Sequence, residues 1–62
     1  MLLILQLRSA LEQLSDADRE LLLLHYGEGY TLTELAPHFD CSPECLRQRL
    51  SRARERLKRL LE

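Results

Sequence analysis

Residues 31–61, TLTELAPHFDCSPECLRQRLSRARERLKRLL, decide how the chain is read. Thr31 and Glu34 stand at the spacing of a capping box, in which the hydroxyl takes the third amide of a helix and the glutamate reaches back to the cap amide. A short helix should come next with Leu32, Leu35, Ala36 and Phe39 inward. Pro37 removes one helical hydrogen bond and disfavours helix in the residue before it, so this helix is expected to be kinked or cut short. Asp40-Cys41 is the expected turn, because aspartate tolerates the left-handed backbone that a tight connection needs. Ser42 then reads as an N-cap and Pro43 as the first helical residue, where its missing N–H costs nothing.

The segment after Ser42 is the clearest element. At about 100° per residue, Leu46, Leu50, Ala53, Leu57, Leu60 and Leu61 fall within an arc of about 100°, the width of a core-facing stripe. Glu44, Gln48, Ser51 and Glu55 lie opposite, with Arg47, Arg52, Lys58 and Arg59 at their margins, and Arg49, Arg54 and Arg56 flank the apolar stripe. A helix of roughly 19 residues would be about 28 Å long.

Working upstream, Leu3, Leu7, Ala10, Leu11 and Leu14 recur at spacings of three and four and predict a first helix ending near Leu14. Ser15 reads as the cap of a second helix, with Asp16 and Asp18 in the first turn where their charge suits the positive helix end. That helix carries Ala17, Leu21 and Leu24 and stops at Gly27-Glu28-Gly29. Leu21 to Leu24 are four leucines in a row, so more than one side of it should be covered. No segment of strand length alternates. The expected fold is all-α, a small helix-turn-helix bundle of four helices with the last the longest, and residues 1–62 form a single domain. A chain of this length has no room for a second core and has marginal stability of its own.

Net charge is −1, but the average conceals a split. Up to Asp40 there are seven acids against two bases, and from Cys41 onward seven bases against three acids. Such polarity suggests one end that meets a polyanion. Cys41 and Cys45 do not make a disulfide framework and read as reduced thiols in a cytoplasm. The opening run Met1-Leu2-Leu3-Ile4-Leu5 is too short for a membrane span and lacks the basic start of a signal peptide. No catalytic set, cofactor loop or deep pocket is apparent, so no enzyme activity and no cofactor are expected. His38, Cys41 and Cys45 lack a convincing fourth ligand for zinc, so no metal is expected either. His25 reads as a boundary residue of the second helix.

A short helix, a tight turn and a longer helix presenting Arg, Gln and Ser make up a helix-turn-helix arrangement. A helix fills the major groove of B-DNA, where Arg47 has the donors for guanine O6 and N7 and Gln48 the groups for adenine N6 and N7. Only its first two or three turns fit there, so bases from Arg54 onward suit phosphates. Seven bases on a terminal helix also fit a plain solvated face; the capping box, turn and Ser-Pro start favour DNA.

Three segments together carry a resemblance: Leu14-Ser15-Asp16-Ala17-Asp18-Arg19-Glu20-Leu21-Leu22, Tyr30-Thr31-Leu32-Thr33-Glu34-Leu35-Ala36, and Cys41 to Leu57 with its Arg52-Ala53-Arg54. In order and at these spacings they resemble region 4 of bacterial sigma factors, most closely the extracytoplasmic-function group, over about residues 7 to 61. A response-regulator output domain shares the Glu-Leu-Ala and turn but fits less well. The resemblance implies recognition of a promoter −35 element in double-stranded DNA and docking on the β flap of RNA polymerase. Carried over by position, Glu44, Arg47, Gln48, Ser51 and Arg52 would face base edges and nearby phosphates; Arg56, Lys58 and Arg59 are expected to contact DNA as bases of the part of the helix past the groove. Cys45, Gln48, Asp40, Pro37 and Ser15 depart from the family's usual residues. Region 2 of such factors has no counterpart in these 62 residues, so alone they are not expected to initiate transcription. A second reading is a protein-interaction module of the same fold. Leu2, Ile4, Leu5 and Leu22 or Leu23 exceed what one inward stripe needs, and the surplus suits an anti-sigma protein, the polymerase, or a homodimer formed through the first helix.

Overall fold

The computed structural model describes the backbone of residues 2–62 and the side chains from Leu5 onward. The expectations placed on the side chains of Leu2, Leu3 and Ile4 lie outside the described residues. The order of elements is α1 (Leu2–Gln13), α2 (Asp16–Leu22) running into one π-helical turn (Leu23–Gly27), α3 (Leu32–Leu35) and α4 (Pro43–Leu61). Each cap read from the sequence forms. Ser15 Oγ accepts from the Asp18 amide at 3.2 Å, and Ser42 Oγ accepts from the Cys45 amide at 3.1 Å. The Thr31 box closes in both directions, with the Glu34 amide donating to Thr31 Oγ1 at 3.1 Å and the Thr31 amide to Glu34 Oε1 at 2.9 Å.

Pro37, just past the end of α3, holds that helix to four residues. It has no amide to give, and the chain closes instead in a Schellman motif: Cys41 N–H donates to the Ala36 carbonyl at 3.1 Å and Asp40 N–H to that of Pro37 at 3.2 Å. Asp40 sits at the left-handed position with φ of 54°, the conformation its side chain makes tolerable. Cys41, one residue further, packs half-buried against the core beside α3. The corner therefore holds its angle through backbone bonds and a half-buried thiol.

The core is the meeting of α2 and α4. Leu21 and Leu46 are fully buried in one cluster with Leu14, Leu22, Leu35, Leu50 and Ala53, and Ala10 and Ala36 are buried as well. Leu11, Leu24, Leu32, Phe39, Leu57 and Leu60 are half-buried at its edge. Two stripe positions depart from expectation. Leu7 is 41 % exposed and Leu61 42 % exposed, both at the wall of an open groove rather than under another element. Of the four leucines in α2 and its extension, Leu21 and Leu22 are buried and Leu24 half-buried, whereas Leu23 is 49 % exposed, so the surplus falls on Leu23 rather than Leu22. The π-turn was not legible in the sequence. Glu28 N–H donates to the Leu23 carbonyl at 3.1 Å, five residues back, and Gly29, at φ of 82°, lets Tyr30 N–H return to the Leu24 carbonyl at 3.1 Å.

Hydrogen bonding to the Thr31 backbone, then to its hydroxyl, lowers the Glu34 pKa from 4.5. A depressed carboxylate contributes stability that is present above the unfolded-state value and lost as pH falls through the folded one. Urea denaturation at neutral pH and well below pH 4.5 should show a smaller acid loss in Glu34→Gln than in the parent. Asp40→Gly removes the left-handed penalty at the corner and is expected to stabilise the domain by roughly 0.5–1 kcal/mol, whereas Asp40→Val should cost about 1–2 kcal/mol. Thermal melts check both, since about 1 kcal/mol moves the midpoint of a domain this size by ~4–8 °C.

Candidate nucleic-acid interface

The interface candidate is the outer surface of α4, and burial of its inner stripe creates it. With Leu46, Leu50 and Ala53 buried, every residue singled out on the other side is exposed: Glu44, Arg47, Gln48, Ser51, Arg52, Arg56, Lys58 and Arg59. Helical geometry sorts them into two edges. Arg47, Ser51, Arg54 and Lys58 lie along one within an arc of about 60°, and Arg49, Arg52, Arg56 and Arg59 along the other within about 80°. Gln48 and Glu55 lie between. Ser42 and Pro43 begin the helix at the corner, and its first turns bury Leu46 and Leu50 inward while Glu44, Arg47 and Gln48 stay exposed outward.

Three arginines have partners that periodicity does not reveal. Arg56 Nη1 lies 3.7 Å from Asp18 Oδ2 at the start of α2. A surface pair at this separation, with Arg56 exposed and Asp18 half-buried, is worth about 0–1 kcal/mol, so Asp18 restrains Arg56 without locking it. The Arg49 guanidinium carbon sits 5.6 Å from the centre of the Phe39 ring, and that of Arg54 lies 6.0 Å from the Tyr26 ring. Arg54 was among the bases expected to suit phosphates, whereas Arg49 did not stand among the residues expected to contact DNA. Their aromatic partners come from other elements, so only the fold brings them together.

Of the residues weighed for a metal, the histidines have other partners and the cysteines, among the described residues, do not. His38 Nε2–H donates to Glu20 Oε1 at 2.7 Å, tying the corner to α2. Cys41 is half-buried and Cys45 exposed, both as free thiols. His25 is half-buried, as a boundary residue should be, and its Nδ1–H donates to the Tyr30 carbonyl at 2.7 Å, closing the loop after the π-turn. Among the described residues no group of three His, Cys, Asp or Glu could hold a metal ion.

A second surface feature adjoins α4. A groove of about 880 Å³ opens between α1, the π-turn and the last turns of α4. Leu7, Leu11, Leu22, Leu23, Tyr26, Leu57 and Leu61 supply its apolar lining, and Ser51, Arg54, Glu55 and Lys58 stand on the α4 side.

A capped helix set off from a short preceding one by a tight turn, with guanidinium groups on both edges, is the geometry that enters a major groove. Residues 4–57 match the family model for sigma-70, region 4. The chain belongs to that family. No curated protein and no solved structure matches it. The family binds DNA and RNA polymerase and is not enzymatic, so this is a DNA-binding domain of the sigma-factor type. The match takes in all of the corner and α4 as far as Leu57, leaving Lys58 and Arg59 beyond it. Among the described residues of this region 4 domain, no helix is long and apolar enough to cross a membrane.

Proposed function

We propose that the domain reads a promoter −35 element through the major groove with the first turns of α4. The observation that carries this reading is the exposed surface of a helix whose opposite stripe is sealed in the core, on a chain of the region 4 family. Glu44, Arg47, Gln48, Ser51 and Arg52 are the residues for base edges and adjacent phosphates, and Arg56, Lys58 and Arg59 for phosphates further along. Arg47 has five donors in a planar fork suited to guanine O6 and N7. The likeness of Arg52-Ala53-Arg54 to the extracytoplasmic-function group supports placing the factor there, working in the cytoplasm.

The apolar groove is proposed as the seat of the RNA polymerase β flap. Its support is the polymerase binding of the family, together with exposed Leu7, Leu23, Tyr26 and Leu61 side by side on one face. An anti-sigma protein or a second copy of the chain through α1 are the other occupants that the same apolar surface suits.

Neutralising about five phosphates gives a slope of log binding constant against log salt of roughly −4 to −5 for the purified chain on duplex DNA. A slope near zero would rule the reading out. Arg47→Ala should cost on the order of 1–3 kcal/mol and relax preference at one base pair, whereas equal loss on every sequence would make Arg47 a phosphate contact. For the groove, Leu23→Asp should abolish binding to an isolated β flap domain while leaving the DNA slope unchanged. Light scattering that finds a dimer dissociated by Leu23→Asp, with no flap binding by the parent, would assign the groove to a second copy instead.

A further inference from the structure

We propose that Arg49 is a phosphate-contacting residue of the DNA surface, held in position by the ring of Phe39. The inference deepens the DNA-binding reading above and rests on it. Arg49 is half-buried, yet among the described residues no carboxylate lies within 4.0 Å of its guanidinium, whereas Arg19 and Arg56 each have one. What it has instead is an aromatic face 5.6 Å away.

An arginine held by a ring differs from one held by a carboxylate. The ring attracts the cation through its π-electrons and accepts none of the five N–H groups in a linear bond, so the donors stay available to an anion. A carboxylate would occupy two of them and cancel the charge. Phe39 is itself fixed: it is half-buried against the core, and the His38 ring meets it edge-on at 4.9 Å while His38 Nε2–H is held by Glu20 at 2.7 Å. The support thus runs from α2 through the corner to α4. It sets the guanidinium at the junction of corner and α4, one helical turn before Arg52 on the same edge. Two cations in register along one edge match a phosphate strand bordering a groove that the helix occupies. The ring also restricts a long side chain that would otherwise lose conformational freedom when it met the DNA.

Binding of the 62-residue chain to a pool of random duplexes, measured between about 50 and 200 mM salt, tests the assignment. Arg49→Gln should lower the magnitude of the salt slope by about 0.9, so that the parent-to-variant affinity ratio shrinks roughly three- to fourfold across that range, equally on all sequences. Arg49→Met keeps the alkyl stem over Phe39 and should lower the slope equally, which covers the case in which the glutamine variant does not fold. Phe39→Leu keeps the charge, so it should leave the slope unchanged while weakening binding a few-fold. A purely structural arginine would shift the melting temperature and leave the slope alone. A parent slope of roughly −4 to −5 with an unchanged slope in both neutral variants overturns this assignment and leaves DNA binding standing. A parent with no salt-dependent binding overturns both.

Discussion

The joint burial of Leu21 and Leu46 in one core is the constraint from which the rest of the domain takes its arrangement. Both side chains are fully buried where α2 meets α4, and they are the largest to be so. Once that point is set, helical periodicity leaves α4 no freedom of rotation: Leu50 and Ala53 must go inward and the guanidinium edges outward. The charged surface is a consequence of an apolar constraint. A truncation from leucine to alanine at such a site costs about 2–5 kcal/mol, a large share of what a domain of this size possesses.

Against that anchor the corner does the positioning. α3 is too short to be stable by itself, since an isolated helix needs roughly three turns to repay its nucleation. Its persistence rests on the capping box at one end, the Schellman closure at the other, and Leu35 and Ala36 buried between them. The Glu20–His38 bond adds a tie to α2 from outside the core. The turn that precedes α4 is thus defined by short-range bonds whose residues are close in sequence, apart from that single tie.

This division explains what could be read in advance. The caps at Ser15, Thr31 and Ser42, the interruption at Pro37 and the left-handed Asp40 are local chemistry, in which the participants lie within a few positions of one another, and each was legible. The inward stripe of α4 was legible as far as Leu60. The exposure of Leu7 and Leu61 was not, because periodicity gives the direction of a side chain but not whether another element extends far enough to cover it. The π-turn at Leu23–Gly27 carries no residue pattern of its own, so periodicity could not announce it. The same limit applies to the surface. The sequence singled out Arg47, Gln48 and Arg52 from their place on α4, but the settings of Arg49, Arg54 and Arg56 depend on Phe39, Tyr26 and Asp18, which belong to other elements.

The groove between α1 and α4 is bordered by more than its apolar floor. Ser51, Arg54 and Lys58 stand on its α4 side and also belong to one edge of the helix proposed to meet a nucleic acid. A guest in the groove and a duplex along the helix would consequently draw on the same three side chains. Thermodynamic reciprocity would then apply: whatever factor one guest imposed on the grip of the other would be returned in full, and the two holds would change by the same ratio.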